Sequence, residues 1–196
     1  MRVEDLIERA RRLKEKGLTI GEIASELNVS SETAMWLLAK VREDKAPSDV
    51  YIDFRNVSNP FRMRCLAGII SDMISESVDE NPEVVVGVAT SGIPIATLVA
   101  DELNADLSMY YPKKLKWEEK QVRVGGVFSE NFADVSGKKC VIVDNVITTG
   151  MTIKETIEQI KKKEGEVLCS AVIIDKKGVD KIEGIPILSI FKIVRL

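Results

Sequence analysis

The apolar positions follow two different periods along this chain. Near the N-terminus Leu6, Ile7, Ala10 and Leu13 recur at helical spacing, and Gly17 follows as a stop. Thr19-Ile20-Gly21-Glu22 reads as a capping box, in which the hydroxyl and the carboxylate each satisfy an orphan amide. The short helix it opens has Ile20, Ile23, Ala24 and Leu27 on its inner face. Asn28-Val29-Ser30 is a tight turn, and Asn tolerates the left-handed backbone such turns use. A third helix is expected from Ser31 to Val41, with Ala34, Leu37, Leu38 and Val41 turned inward.

Asp44 to Asp49 is polar and broken by Pro47, which places a domain boundary between residues 46 and 47. Val50 to Phe54 alternates and predicts a strand, and Asn59-Pro60 predicts the start of a helix that reaches about Ser77. Beyond it, continuous apolar runs alternate with helical segments. Strands are expected at Val84–Ala89, Leu107–Tyr111, Cys140–Val143 and Val167–Ile174, and helices at Pro94–Leu103 and Thr152–Lys163. Apolar strands separated by helices indicate an α/β fold with a parallel sheet covered on both faces. The strand-like tail, Ile187 to Val194, is expected to pack back on the Val50 strand as a small subdomain.

Composition narrows the chemistry. The 196 residues are 45% hydrophobic and 30% charged, enough apolar mass for one ordinary domain and a small one. The net charge of -3 means that nucleic-acid contact must come from a local patch. The chain has no histidine, which excludes a Ser-His-Asp triad, a histidine base and a His-ligated metal. Cys65, Cys140 and Cys169 are far apart and odd in number, so a reducing cytoplasm is expected. Met1 to Asp5 has no apolar signal core, and no apolar run is long enough to span a bilayer.

The strongest local chemistry lies after the Cys140 strand. Asp144 and Asn145 stand at its carboxyl end, where open parallel sheets bind ligands. Thr148-Thr149-Gly150-Met151-Thr152 then turns into a helix, whose first amides and positive dipole end suit a phosphate. Gly150 allows close backbone approach and the threonines add hydroxyl donors. With Asp144 and Asn145 able to grip two neighbouring hydroxyls, the pattern asks for a phosphate beside a diol, as in ribose 5-phosphate.

This stretch resembles the diphosphoribosyl-binding signature of type I phosphoribosyltransferases, closest to the orotate branch, over roughly Asp49 to Leu196. The resemblance implies a parallel sheet flanked by helices with a small hood subdomain. Gly87 to Ala96 looks like the family's pyrophosphate loop, which would give Thr90, Ser91 and Gly92 to pyrophosphate, Asp144 and Asn145 to the ribose, and Thr148, Thr149, Gly150, Met151 and Thr152 to the 5-phosphate. Lys113 and Lys116, in the polar segment after Tyr111, would be counterparts of two pyrophosphate-closing lysines. Mg2+ would enter only together with bound phosphoribosyl diphosphate.

Two features depart from an enzyme of that family. Position 145 carries an amide where the signature has a second carboxylate, so one negative charge beneath a developing oxocarbenium is missing. Losing such a partner costs about 3 kcal/mol, on the order of a hundredfold in rate. The polar loop also lacks its histidine. Both departures shift weight from catalyst to sensor.

At the N-terminus, Ile20, Ile23, Ala24, Leu27, Val29, Ala34 and Leu37 match a helix-turn-helix, with Asn28 in place of the usual turn glycine. Residues 1–46 are then a DNA-binding domain and 47–196 an effector-binding domain. The DNA-facing residues of the third helix would be Ser31, Glu32, Thr33, Met35, Trp36 and Lys40. The whole arrangement resembles archaeal regulators that carry an orotate phosphoribosyltransferase-like domain. It implies a homodimer that binds double-stranded DNA and responds to phosphoribosyl diphosphate or a nucleotide, without a membrane partner. The rivals are an active orotate or purine phosphoribosyltransferase and a nucleotide-binding structural partner with no DNA role.

Overall fold

The computed structural model describes residues 2–39, 47–113 and 125–194. These residues separate into two compact units, one ending at Asp53 and one beginning at Phe54. Val41 and the polar residues 44–46 lie outside the described residues.

The first unit holds helices α1 (Val3–Glu15), α2 (Ile20–Glu26) and α3 (Ser31–Leu38). Gly17, at φ +90°, ends α1. The Thr19 amide donates to the Glu22 carboxylate at 2.7 Å and the Glu22 amide donates to the Thr19 hydroxyl at 3.3 Å, so the capping box forms as its residues dictate. Asn28 takes the left-handed conformation at φ +52° between α2 and α3. Ile7, Ala10, Ile23, Ala24, Leu27, Val29, Ala34 and Leu37 close a small core. Ile20, expected inside, is exposed: as the first residue of a seven-residue helix it lies beyond the end of that core.

The strand expected at Val50–Phe54 does not form. Its side chains are committed to the helices instead. The Asp49 carboxylate accepts from the Ser30 amide at 2.8 Å and the Thr33 hydroxyl at 2.9 Å. The Tyr51 hydroxyl accepts from Arg9 at 2.5 Å, and the Arg9 guanidinium lies over the Tyr51 ring. The first unit therefore reaches Asp53 rather than stopping at residue 46.

The second unit begins with a 3-10 turn and helix α4 (Pro60–Ser77), capped by the Asn59 side chain. It continues with β1 (Val84–Val88), α5 (Ile93–Leu103), β2 (Asp106–Tyr111), β3 (Val127–Phe128), β4 (Lys139–Ile147), α6 (Met151–Lys162), β5 (Glu166–Asp175), β6 (Lys181–Ile182) and β7 (Ile185–Lys192). The sheet order is β3-β2-β1-β4-β5-β7-β6. All neighbouring pairs are parallel except the two at the edges, β2 with β3 and β6 with β7. Val84, Val86 and Ile142 face α6 through Ile153, Ile157 and Ile160. Val85, Val141 and Val143 face α4 and α5 through Ala67, Ile70, Ile74 and Val99. Both sheet faces are buried, which is why these strands read as unbroken apolar runs.

The C-terminal strand belongs to the main sheet rather than to a separate subdomain. Ile187, Leu188 and Phe191 pair with β5, so the tail extends the main sheet, and the hood expected from those two segments is not built from them. No helix among the described residues is long and apolar enough to cross a membrane.

Asp49 is a clear stability test of the first unit. Asp49→Ala removes the acceptor for two donors at the start of α3 and is expected to cost about 2 kcal/mol. Hydrogen exchange should show faster opening of α1 to α3, with β4 and β5 unchanged.

Candidate functional site

β1 and β4 are parallel neighbours, with Val84 opposite Cys140 and Gly87 opposite Val143. β1 therefore ends beside Asp144, within β4. After β1 the chain turns through Thr90, Ser91 and Gly92 into α5, and the Ala89–Thr90 peptide is cis. After β4 it turns through Thr148, Thr149 and Gly150 into α6. β4 runs past its expected end at Val143, because Asp144, Val146 and Ile147 keep pairing with β5.

The first turn touches β4. A Cβ on Gly92 would lie 2.7 Å from the Val88 carbonyl oxygen and 2.9 Å from both Cα and Oδ1 of Asp144. Only glycine fits that approach. Ser91 donates its hydroxyl proton to Asn145 Oδ1 at 3.0 Å. Asp144 and Asn145 are buried, and the Asn145 amide donates to Asp144 Oδ1 at 2.7 Å. The structure thus brings Ser91, Gly92, Asp144 and Asn145 together, with Thr90 exposed beside them.

Gly150 caps α6 at φ +80°, a left-handed conformation that sets the first amides of the helix after Thr149. The Met151 amide donates to the Thr149 hydroxyl at 3.4 Å. Thr148 and Thr152 are half-buried, while Thr149 and the Met151 side chain are exposed. The loop is therefore an amide-lined turn at a helix start, the arrangement that favours an anion.

Sequence reasoning missed Lys177. Asp175, fully buried at the end of β5, accepts from the amides of Lys177 (2.8 Å), Gly178 (2.9 Å) and Val179 (3.1 Å). The Lys176 amide donates to the Ile147 carbonyl at 2.9 Å. This folded turn lays Lys177 over Gly150: Nζ is 3.1 Å and Cδ 3.3 Å from where a Gly150 Cβ would be. The signal was present in Asp-Lys-Lys-Gly closing an apolar strand, the form of a side-chain-capped turn at the sheet's carboxyl end.

Lys113 is exposed, and its amide donates to Glu155 Oε1 at 2.9 Å. The same carboxylate oxygen accepts from the Tyr110 hydroxyl at 2.8 Å. Burial first, then the Glu155 carboxylate, push the Tyr110 phenol's pKa well up, so it acts here as a neutral donor. Lys116 lies outside the described residues. Burial raises the Cys140 and Cys169 thiols to about 12 and about 11, which leaves neither as a nucleophile at neutral pH.

On α3, Ser31, Glu32 and Met35 are exposed and Trp36 is half-buried against the small core. Thr33 corrects the sequence reading. It is buried, and its hydroxyl is held by Asp49 and Ser30, because the third residue of α3 faces back toward its own cap. Lys40 lies outside the described residues.

The family model for the phosphoribosyl transferase domain matches residues 58–194, and the parallel sheet with its two adjoining turns is the architecture of that class. The fold is similar to that of adenine phosphoribosyltransferase from Rhodothermus marinus (TM-score 0.57, 20% identity, 77% of this chain and 90% of that one). It is also similar to orotate phosphoribosyltransferase from Aeropyrum pernix (TM-score 0.56, 18% identity, 89% and 93%). Over its whole length the chain is 54% identical to transcriptional regulator GfcR of Archaeoglobus fulgidus, covering 99% of that protein. It is 40% identical to transcriptional regulator GfcR of Haloferax volcanii, over 99% of this chain and 97% of that one. The chain belongs to this family of transcriptional regulators with a phosphoribosyltransferase-like domain.

Gly92→Ala forces a methyl group into main-chain atoms of β1 and β4. The expected cost is about 1–3 kcal/mol, read as a lower midpoint in urea denaturation.

Proposed function

We propose that this protein is a DNA-binding regulator whose second unit senses phosphoribosyl diphosphate or a related nucleotide. The observation that carries the reading is the junction of Ser91 and Gly92 with Asn145 and Asp144. It supports a reading in which pyrophosphate lies beside ribose hydroxyls, with the amide-lined Gly150 turn after β4 taking the 5-phosphate. Asp144 and Asn145 hold the ribose; Thr148 to Thr152 hold the 5-phosphate; Thr90 to Gly92 hold the pyrophosphate, with Lys113 and Lys116 closing on it. Lys177 supplies a cation over the 5-phosphate turn. Mg2+ would enter only with bound phosphoribosyl diphosphate, whose charge it would neutralise.

The first unit is a helix-turn-helix that sets α3 in the major groove of duplex DNA, with Ser31, Glu32 and Trp36 toward the bases and Lys40 toward phosphate. Two copies act together on two half-sites. The controlled genes belong to sugar or nucleotide metabolism. Asn145 is the reason to place regulation above turnover, since its Oδ1 accepts the Ser91 proton and an amide adds no charge beneath a forming oxocarbenium.

DNA fragments selected from genomic DNA by the protein provide the probe. Fluorescence anisotropy should show affinity falling steeply with salt. Saturating phosphoribosyl diphosphate should shift that affinity by about 5- to 150-fold. Unchanged affinity at saturating ligand would end the coupling, because a ligand with no preference between states shifts nothing.

Asn145→Asp tests the charge argument separately. Pyrophosphate release from phosphoribosyl diphosphate with orotate or a purine should rise on the order of a hundredfold above the unsubstituted protein. A wild-type turnover of about 1–1000 per second would instead favour a working transferase.

A further inference from the structure

Three segments of the second unit meet at one carboxylate. Glu155 stands one turn into α6, about 6 Å along the axis from its first residue. Its Oε1 accepts from the Tyr110 hydroxyl at 2.8 Å and from the Lys113 amide at 2.9 Å. The Tyr110 oxygen accepts in turn from the Gly126 amide at 3.1 Å. A Cβ on Gly126 would lie 2.5 Å from that oxygen and closer still to the Tyr111 carbonyl, so the main chain there has no room for a side chain. Tyr110 is fully buried, with its ring centroid 4.9 Å from that of Phe128. The same segment borders the turn after β1. Tyr110 is opposite Val88, and its carbonyl accepts from the Ala89 amide at 2.8 Å, so the chain leaving β2 runs on beside the turn at Thr90 to Gly92. Lys113 comes two residues after the end of β2. The bond to Glu155 engages its main chain, and its side chain is exposed.

We infer that Glu155 and Tyr110 are positioning residues, which fix the main chain of Lys113 so that its ammonium meets the diphosphate of a bound phosphoribosyl diphosphate. The inference rests on the sensing reading of this site and adds to it two residues that act through Lys113 rather than on the ligand. Holding the amide in advance removes part of the ordering cost that a free lysine would incur on binding. A carboxylate this close to an anion site has two effects of opposite sign. Its charge repels a diphosphate, while its oxygen holds the amide of a cation that attracts one. On charge alone, removing the carboxylate strengthens binding. On positioning, removing it weakens binding unless an acceptor remains. Glutamine separates the two, because it keeps Oε1 and loses the charge.

Isothermal titration calorimetry of the full chain, with Mg2+ and either phosphoribosyl diphosphate or ribose 5-phosphate, is the test. The wild type should bind phosphoribosyl diphosphate the more tightly. Glu155→Ala should weaken phosphoribosyl diphosphate about tenfold and leave ribose 5-phosphate within about twofold, the second value showing that the rest of the site is intact. Glu155→Gln should bind phosphoribosyl diphosphate at least as tightly as the wild type, and Tyr110→Phe should give a smaller loss than Glu155→Ala. In a Lys113→Ala background Glu155→Ala should bring no further loss, because effects that run through one group do not add. A wild type that does not distinguish the two sugars overturns the sensing reading and this inference with it. A wild type that does distinguish them overturns the positioning role alone in either of two cases. In one, Glu155→Ala binds phosphoribosyl diphosphate unchanged, more tightly, or with a loss that ribose 5-phosphate shares equally. In the other, the losses from Glu155→Ala and Lys113→Ala simply add.

Discussion

The contact between Gly92 and Asp144 depends on one parallel strand, β1, ending alongside another, β4, and the proposed site depends on it in turn. β1 and β4 share a ladder, so the turn that follows β1 lies against the later residues of β4 whatever its sequence. What the sequence adds is a residue without a Cβ at the point where that turn meets β4. The gap saved is one methyl group, and it lets Ser91 reach Asn145. A similar economy operates at Gly150, where a left-handed residue starts α6 and Lys177 lies across the empty Cβ position. In both turns close backbone approach replaces side-chain bulk, which is what an anion bound by amides requires.

That geometry separates binding from catalysis more cleanly than the family likeness does. Asp144 keeps a carboxylate in the carboxyl half of β4, while Asn145 beside it keeps the shape and hydrogen-bonding capacity of an acid without the charge. Ground-state recognition of a diol needs acceptors and donors. Stabilisation of a cationic transition state needs negative charge that matters more as the reaction proceeds. On the proposed reading, a site with one charge and one amide would retain most of its grip and lose much of its kinetic leverage, and so would report a ligand's presence rather than consume it.

Most of the second unit was legible in its apolar runs, because strands buried on both faces leave no polar alternation to obscure them. The turn into α6 was legible as a strand-to-helix turn because glycine and threonine cluster there, and Gly150 takes the left-handed conformation. Three things were not. Val50 to Phe54 alternates like a strand, but Asp49 and Tyr51 are claimed by hydrogen bonds to the helices, and tertiary partners override an alternating pattern. Thr33 was placed outward by position on the helix, yet its hydroxyl is fixed by an acid sixteen residues away, which no local period records. Lys177 gains its position only because Asp175 folds the turn after β5 onto the end of β4, a relation that exists in the sheet and not along the chain.

Charge decides what kind of DNA binder the first unit can be. Arg11, Arg12 and Lys14 are exposed on α1, but Glu4 and Glu8 share that helix surface, and Arg12 already pairs with Glu8 at 3.5 Å. A whole chain at -3 adds no attraction at long range. On the proposed reading each copy therefore contacts few phosphates and holds duplex DNA weakly. Two linked copies change the arithmetic: once one is seated, the second binds from an effective concentration far above that in solution, and the affinities multiply. A weak single contact is then an advantage to a sensor. Small changes in the spacing of two copies forfeit the second contact altogether, so a modest preference of the effector for one arrangement becomes a large change in occupancy.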